Sequence, residues 1–167
     1  AENLWLVDAS GQHPRALTRE QQSQFISPVW TPDGKYIAVS RSGAGIGGSA
    51  YDLYMYHKDG GTGLKLTGAT PGSAPAAAPA TGANAAFDNY IGAAFGRDPR
   101  YVYAAAKHGG FGYNMQFPAW QVVVYDRETG KTFVRTSAPG SAMRPALSSD
   151  GKWLAYATRS DTSTELR

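Results

Sequence analysis

Pro28-Val29-Trp30-Thr31-Pro32-Asp33-Gly34-Lys35-Tyr36-Ile37-Ala38-Val39-Ser40 reads as strand, tight turn, strand. Pro is preset for the second turn position and Gly suits the fourth, a type I pattern with Asp33 and Gly34 as structural turn residues. The unit returns as Pro145-Ala146-Leu147-Ser148-Ser149-Asp150-Gly151-Lys152-Trp153-Leu154-Ala155-Tyr156-Ala157. A worn copy, Ala93 to Ala105, carries Asp98-Pro99 at the turn. Pro99 cannot take positive φ, so that turn must differ in detail. Three copies of one hairpin mean a repeat architecture.

A second hairpin alternates with the first. Leu4-Trp5-Leu6-Val7-Asp8, Gly11 and Leu17-Thr18 recur 49 residues later as Leu53-Tyr54-Met55-Tyr56-His57, Gly60 and Leu66-Thr67. Gln121-Val122-Val123-Val124-Tyr125-Asp126 to Gly130, then Thr132 to Thr136, is a third copy. Each pair of hairpins predicts four short antiparallel strands. The strand after each turn is apolar at nearly every residue: Tyr36 to Val39, Tyr101 to Ala104, Trp153 to Tyr156. A run without alternation implies a sheet covered on both faces, as in stacked propeller blades. Trp30, Phe95 and Leu147 form one expected core column, and Tyr36, Tyr101 and Trp153 another.

The turn Asp residues fall at 33, 98 and 150. Those spacings exceed the roughly 40 to 50 residues of a four-stranded propeller blade. Insertions account for the surplus. Ser42 to Ser49 is Gly-rich. Thr70 to Ala83 is low-complexity, with Pro spaced so that no helix can run through it. His108 to Pro118 is a glycine-aromatic loop. The expected segments are a half-blade at 2–18, blades at 26–68 and 91–136, a half-blade at 144–159, and a mobile insertion at 69–86.

Composition excludes more chemistry than it suggests. Aromatics at 12% and charged residues at 17% fit an ordered domain. Lys and Arg are scattered singly and the net charge is only +3, which argues against nucleic acid as a partner. With no Cys, disulfides and thiolate sites are excluded. No stretch reaches 18 apolar residues, so no membrane-spanning helix is expected.

No catalytic, cofactor or metal site is assigned. Gly43-Ala44-Gly45-Ile46-Gly47-Gly48 fits G-x-G-x-x-G, but a strand follows, where a dinucleotide loop needs a helix N-terminus. His108-Gly109-Gly110 is like an esterase oxyanion loop, yet the chain has no G-x-S-x-G to serve. His13, His57 and His108 stand apart, without metal-binding spacing. Asp8, Asp33, Asp98, Asp126 and Asp150 recur at equivalent repeat positions, which points to turn capping rather than paired catalytic carboxylates. In a repeat protein function sits in the insertions. Phe111, Tyr113, Met115, Phe117 and Trp120, in the aromatic insertion, are therefore the candidate partner contacts.

The pattern P-x-W-[ST]-P-D-G-K-x-[IL]-A, followed by L-[WY]-x-x-D-x-x-G-x-x-x-x-L-T, resembles the TolB-type (WD40-like) β-propeller repeat. Trp30 to Lys35 matches in full, as do Leu4 to Asp8 through Leu17-Thr18. The resemblance covers most of the chain outside the insertions. It implies an all-β propeller of four-stranded antiparallel blades, a non-catalytic module for protein binding or scaffolding, and a periplasmic or secreted location. The same family includes propellers fused to prolyl-oligopeptidase-type peptidases and propellers preceding metal-dependent amidohydrolase domains. The alternative it implies is thus the propeller portion of a hydrolase, gating substrate for a catalytic domain elsewhere in a parent chain. Such propellers have about six to eight blades, and the repeats here amount to three. The expectation is a fragment of a larger protein, or a homodimer in which two copies close one six-bladed ring.

Overall fold

A computed structural model describes residues 2–43, 50–67, 87–108, 120–137, 141–159 and 164–167. The Ala/Pro insertion, the heart of the Gly-rich segment and most of the glycine-aromatic loop lie outside the described residues. Among the described residues every regular element is a β-strand, and no helix is long and apolar enough to cross a membrane.

The strands form four antiparallel sheets. β1 (Trp5–Leu6) and β2 (Arg15–Ala16) make an isolated pair. β3 (Phe25–Trp30), β4 (Tyr36–Ser42), β5 (Tyr51–His57) and β6 (Leu64–Lys65) follow in simple meander order. β7 (Asn89–Phe95), β8 (Tyr101–Lys107), β9 (Gln121–Asp126) and β10 (Thr132–Val134) repeat that meander. β11 (Ser141–Leu147), β12 (Leu154–Arg159) and β13 (Thr164–Leu166) make the last sheet. The first strands β3, β7 and β11 lie against one another across the sheets. The sheets therefore stack like blades around a shared inner edge, and the array stays open at both ends.

The tight turns follow from their residues. Gly34 N–H donates to the Thr31 carbonyl at 2.9 Å, and Gly34 sits at φ 66°. The Asp33 carboxylate accepts from the Thr31 hydroxyl at 2.6 Å and from Lys35 N–H at 3.1 Å. Asp150 does the same with Ser148 and Lys152, and Gly151 sits at φ 73°. These bonds to the charged form hold both carboxyls below the usual carboxylate range. In the middle copy Asp98 accepts from Arg100 N–H at 2.9 Å, while Pro99 occupies the place of the glycine.

A further repeated device closes each outer hairpin. Leu4, Leu53 and Val122 each donate a backbone N–H to a threonine hydroxyl oxygen, Thr18 at 3.0 Å, Thr67 at 2.8 Å and Thr136 at 2.9 Å. Their carbonyls accept from Leu17, Leu66 and Arg135, each at 2.8 Å. The threonine thus caps an outer strand only two or three residues long and satisfies a buried donor. Thr18 and Thr136 pass the hydroxyl proton on, to Asn3 Oδ1 at 2.9 Å and Gln121 Oε1 at 2.7 Å. The equivalent position in the second copy is Asp52. Its Oδ2 is held by Lys65 at 2.8 Å, and its Oδ1 is buried without a hydrogen-bond partner.

Burial follows position in the stack. In β8, Val102, Ala104, Ala105 and Ala106 are all fully buried, so both faces of that sheet are covered. Val102, Ala104, Ala106 and Tyr90 face the preceding sheet and pack with Leu53. Leu4 and Leu17 of the first hairpin pack with Phe25, Ile37 and Val39. Each such aliphatic side chain contributes about 1.5–3 kcal/mol on burial. The expected core columns hold only in part, with Tyr36, Phe95, Tyr101 and Leu147 half-buried. Phe95 packs against its neighbouring cluster, but Trp30 is 48% exposed and Trp153 is 75% exposed. The reason is their place in the stack. Among the described residues only the pair β1–β2 packs before Trp30, and none packs over Trp153.

Candidate interaction face

The two ends of the blades are unlike. The connections β1–β2, β3–β4, β5–β6, β7–β8, β9–β10 and β11–β12, five to eight residues long, lie at one end. The alternation of strand direction puts every other connection at the opposite end, including the two longest, residues 66–88 and 108–120.

That second end is polar and cross-linked between blades. Asn89, fully buried, accepts from Tyr51 N–H of the preceding sheet at 3.1 Å. Tyr51 donates its hydroxyl to Gln24 Oε1 at 3.0 Å, and Gln24 N–H donates to Ser42 Oγ at 2.9 Å. Ala142 N–H of the last sheet donates to the Trp120 carbonyl at 2.8 Å. His108 stacks on Phe87 with centroids 4.9 Å apart, and its Nδ1 lies 3.8 Å from Asp88 Oδ2. Burial pushes the Tyr90 phenol up to about 12, while its oxygen accepts from Phe87 N–H at 3.3 Å. Such a phenol stays neutral across the physiological range.

The candidate contacts divide. Phe111, Tyr113, Met115 and Phe117 lie outside the described residues. Trp120 is 2% exposed, enters the core just ahead of β9, and has Lys107 Nζ 5.5 Å from its ring centroid. It offers no surface in this chain. The spacing could not separate it from the loop, because Pro118-Ala119 gives no strand signal before Gln121.

The innermost strands carry a feature that the sequence pattern did not reveal. Each has a bulge at the same place, between Ile26 and Val29, Ile91 and Ala94, and Met143 and Ala146. At each bulge one residue takes positive φ: Ser27 at 54°, Gly92 at 68° and Arg144 at 52°. Only Gly92 is the residue type that this geometry favours, so Ser27 and Arg144 left no composition signal. Gly92 N–H, freed from the ladder, donates to Ser40 Oγ of the preceding sheet at 3.1 Å.

The turn end is different in chemistry. A groove of about 460 Å³ runs between β6 and the turns at Asp98–Arg100 and Arg127–Glu128. Its ionic groups satisfy one another. Arg100 grips Asp126 in two bonds of 2.8 and 2.6 Å and reaches Glu128 at 2.7 Å. That guanidinium, with the Glu128 and Thr129 amides, holds the Asp126 carboxyl well below its ordinary range. His13 is paired with Asp8 at 2.8 Å, and bonds from Ser10 and His13 lower the Asp8 carboxyl to about 2. His57 lies edge-on to Tyr36. Among the described residues no three His, Cys, Asp or Glu side chains are gathered as a metal would require.

Several solved structures share this arrangement of sheets. TolB from Agrobacterium tumefaciens superposes with a TM-score of 0.67 at 17% identity, covering 98% of this chain and 51% of that one. The fold is that of the TolB-like β-propeller. A prolyl endopeptidase matches with a TM-score of 0.60 at 14% identity, covering 98% of this chain and 24% of that one. Oligogalacturonate lyase from Vibrio parahaemolyticus matches with a TM-score of 0.58 at 11% identity, covering 97% of this chain and 40% of that one. This TolB-like chain thus spans about half the length of the TolB structure and less of the other two. No described protein family and no curated protein matches it.

Proposed function

We propose that this TolB-like propeller segment is a binding module that engages a protein partner through the end carrying the insertions. The observation behind this reading is that the two longest connections, residues 66–88 and 108–120, both leave and rejoin the blades at that end. Phe111, Tyr113, Met115 and Phe117 are the contact residues, since aromatic and methionine side chains supply the apolar centre of protein interfaces. The opposite end fits a structural role, because its carboxylates are engaged by turn hydroxyls, backbone N–H groups and arginine. A catalytic domain of a parent chain is one partner of this kind, and the prolyl endopeptidase likeness favours that second reading. By resemblance the location is periplasmic or secreted.

The test is capture of partners from a cell-envelope extract, quantified for the unaltered chain and two variants. One variant replaces Phe111, Tyr113, Met115 and Phe117 with Ser. The other, K35E/R97E, alters the turn end. Loss of the captured protein in the loop variant alone supports the reading. Equal capture by the loop variant refutes it, and peptidase or lyase turnover by the chain alone refutes the non-catalytic assignment.

A further inference from the structure

The threonine clasp is complete in two of its three copies. Thr18, 15 residues after Asn3, gives its hydroxyl proton to Asn3 Oδ1 at 2.9 Å. Thr136, 15 residues after Gln121, gives its proton to Gln121 Oε1 at 2.7 Å. Thr67 stands 15 residues after Asp52 and accepts from Leu53 N–H at 2.8 Å, as its counterparts do from Leu4 and Val122. Asp52 takes no bond from it. Lys65 Nζ on β6 holds Asp52 Oδ2 at 2.8 Å, and Asp52 Oδ1 is buried without a hydrogen-bond partner. The middle clasp is half made.

The difference is one of charge. Asn3 and Gln121 are neutral amides, and each accepts the threonine proton. Asp52 is a carboxylate, and a charge-assisted bond to Lys65 is roughly twice as strong as a neutral one. Lys65 therefore draws Asp52 from Thr67 and leaves a buried oxygen unsatisfied. Burial pushes the Asp52 carboxyl above its ordinary value despite Lys65, so it takes up a proton at a higher pH than an exposed aspartate does. The other charged and titratable groups around it do not replace Lys65. Arg41, opposite Asp52 in the β4–β5 ladder, is held by Glu20 at 2.9 Å and by the Tyr56 hydroxyl at 3.1 Å. Tyr90 on β7, whose phenol feels both Asp52 and Asp88, stays neutral.

We propose that Lys65 and Thr67 compete for Asp52, so that the middle clasp stands open while Asp52 is ionised and closes when it takes up a proton. The neutral carboxyl releases Lys65, which is partly exposed and turns to water. The carbonyl oxygen of Asp52 then accepts from the Thr67 hydroxyl, and Asp52 takes the place that Asn3 and Gln121 hold in the other copies. The closed clasp is fully present below about pH 4, the ordinary aspartate range, and opens as pH rises through the raised value. The device secures the outer hairpin β5–β6 at the end of the blades from which residues 66–88 leave. It goes beyond the binding reading above and holds whether or not that reading does.

The test is the loss of stability in T67V, read as the shift of its urea midpoint at about pH 7 and at about pH 4. T136V is the control in the same fold, because its partner Gln121 does not titrate. The T67V shift should be larger at about pH 4 than at about pH 7, and the T136V shift the same at both. D52N sets an amide at position 52, so T67V in the D52N background should show the larger shift at both pH values. K65M frees Asp52 for Thr67 without acid, so T67V should also shift more in the K65M background at about pH 7 than in the unaltered chain. An equal T67V shift at the two pH values overturns the proposal. So does a pH-dependent T67V shift that persists in D52N, which traces to another group. Should T67V not fold at about pH 4, the two backgrounds at about pH 7 decide the matter. A T67V shift unchanged in both D52N and K65M refutes the competition.

Discussion

Thr136→Val tests whether the threonine clasp, rather than strand propensity, holds the outer hairpins. Valine keeps the shape and the β preference of threonine and removes only the hydroxyl. Two bonds are lost, from Val122 N–H at 2.9 Å and to Gln121 Oε1 at 2.7 Å. They are unequal. Gln121 is half-buried and can turn to water, but Val122 is fully buried and its N–H is left unsatisfied. An orphaned buried donor costs about 1–3 kcal/mol, partly offset by the methyl group that valine buries, about 0.8 kcal/mol. The expected loss is about 1.5 kcal/mol, or a fall in Tm of about 3–6 °C for a chain of this size. Thr136→Ser keeps the hydroxyl and loses only the methyl group, about 0.8 kcal/mol. Urea unfolding followed by tryptophan fluorescence, with an unchanged m-value, gives both numbers. The Ser variant should be the more stable of the two. A Val variant equal to or better than the Ser variant refutes the clasp.

Asp52→Asn should raise stability at neutral pH. Burial pushes the Asp52 carboxyl above its ordinary value despite Lys65, so the folded state holds its proton more tightly than the unfolded state. The contribution of this group is favourable at low pH and is lost as pH rises through the raised value. D52N should therefore gain most near pH 7 and little below about pH 4. Paired urea titrations at the two pH values check it, and a variant less stable at pH 7 contradicts the reasoning. Trp120→Ala should cost about 3–5 kcal/mol because the ring is buried. Trp153→Ala, measured on a dilute single-chain sample, should stay within about 0.5 kcal/mol.

The blade was legible because its signals are local and repeated. Thr31-Pro32-Asp33-Gly34 dictates a turn whatever surrounds it, and the apolar runs on either side leave few alternatives to a covered strand. The recurrence of Leu17-Thr18 as Leu66-Thr67 was visible too. Its physical meaning was not, because the bond it forms joins residues 14 apart across a hairpin. The errors lay at Trp30 and Trp153, and they share one cause. A repeat pattern states which residue faces a neighbouring blade, but not whether that neighbour stands in the same chain. Phe95 and Trp30 carry the same signal, and only the presence of a complete preceding sheet separates a packed ring from a half-exposed one. Trp120 reverses the error, since loop composition surrounded a residue that the Ala142–Trp120 backbone bond ties into the core. What distinguishes an end from a middle is therefore which sheets stand on either side, and no single residue of a repeat encodes it.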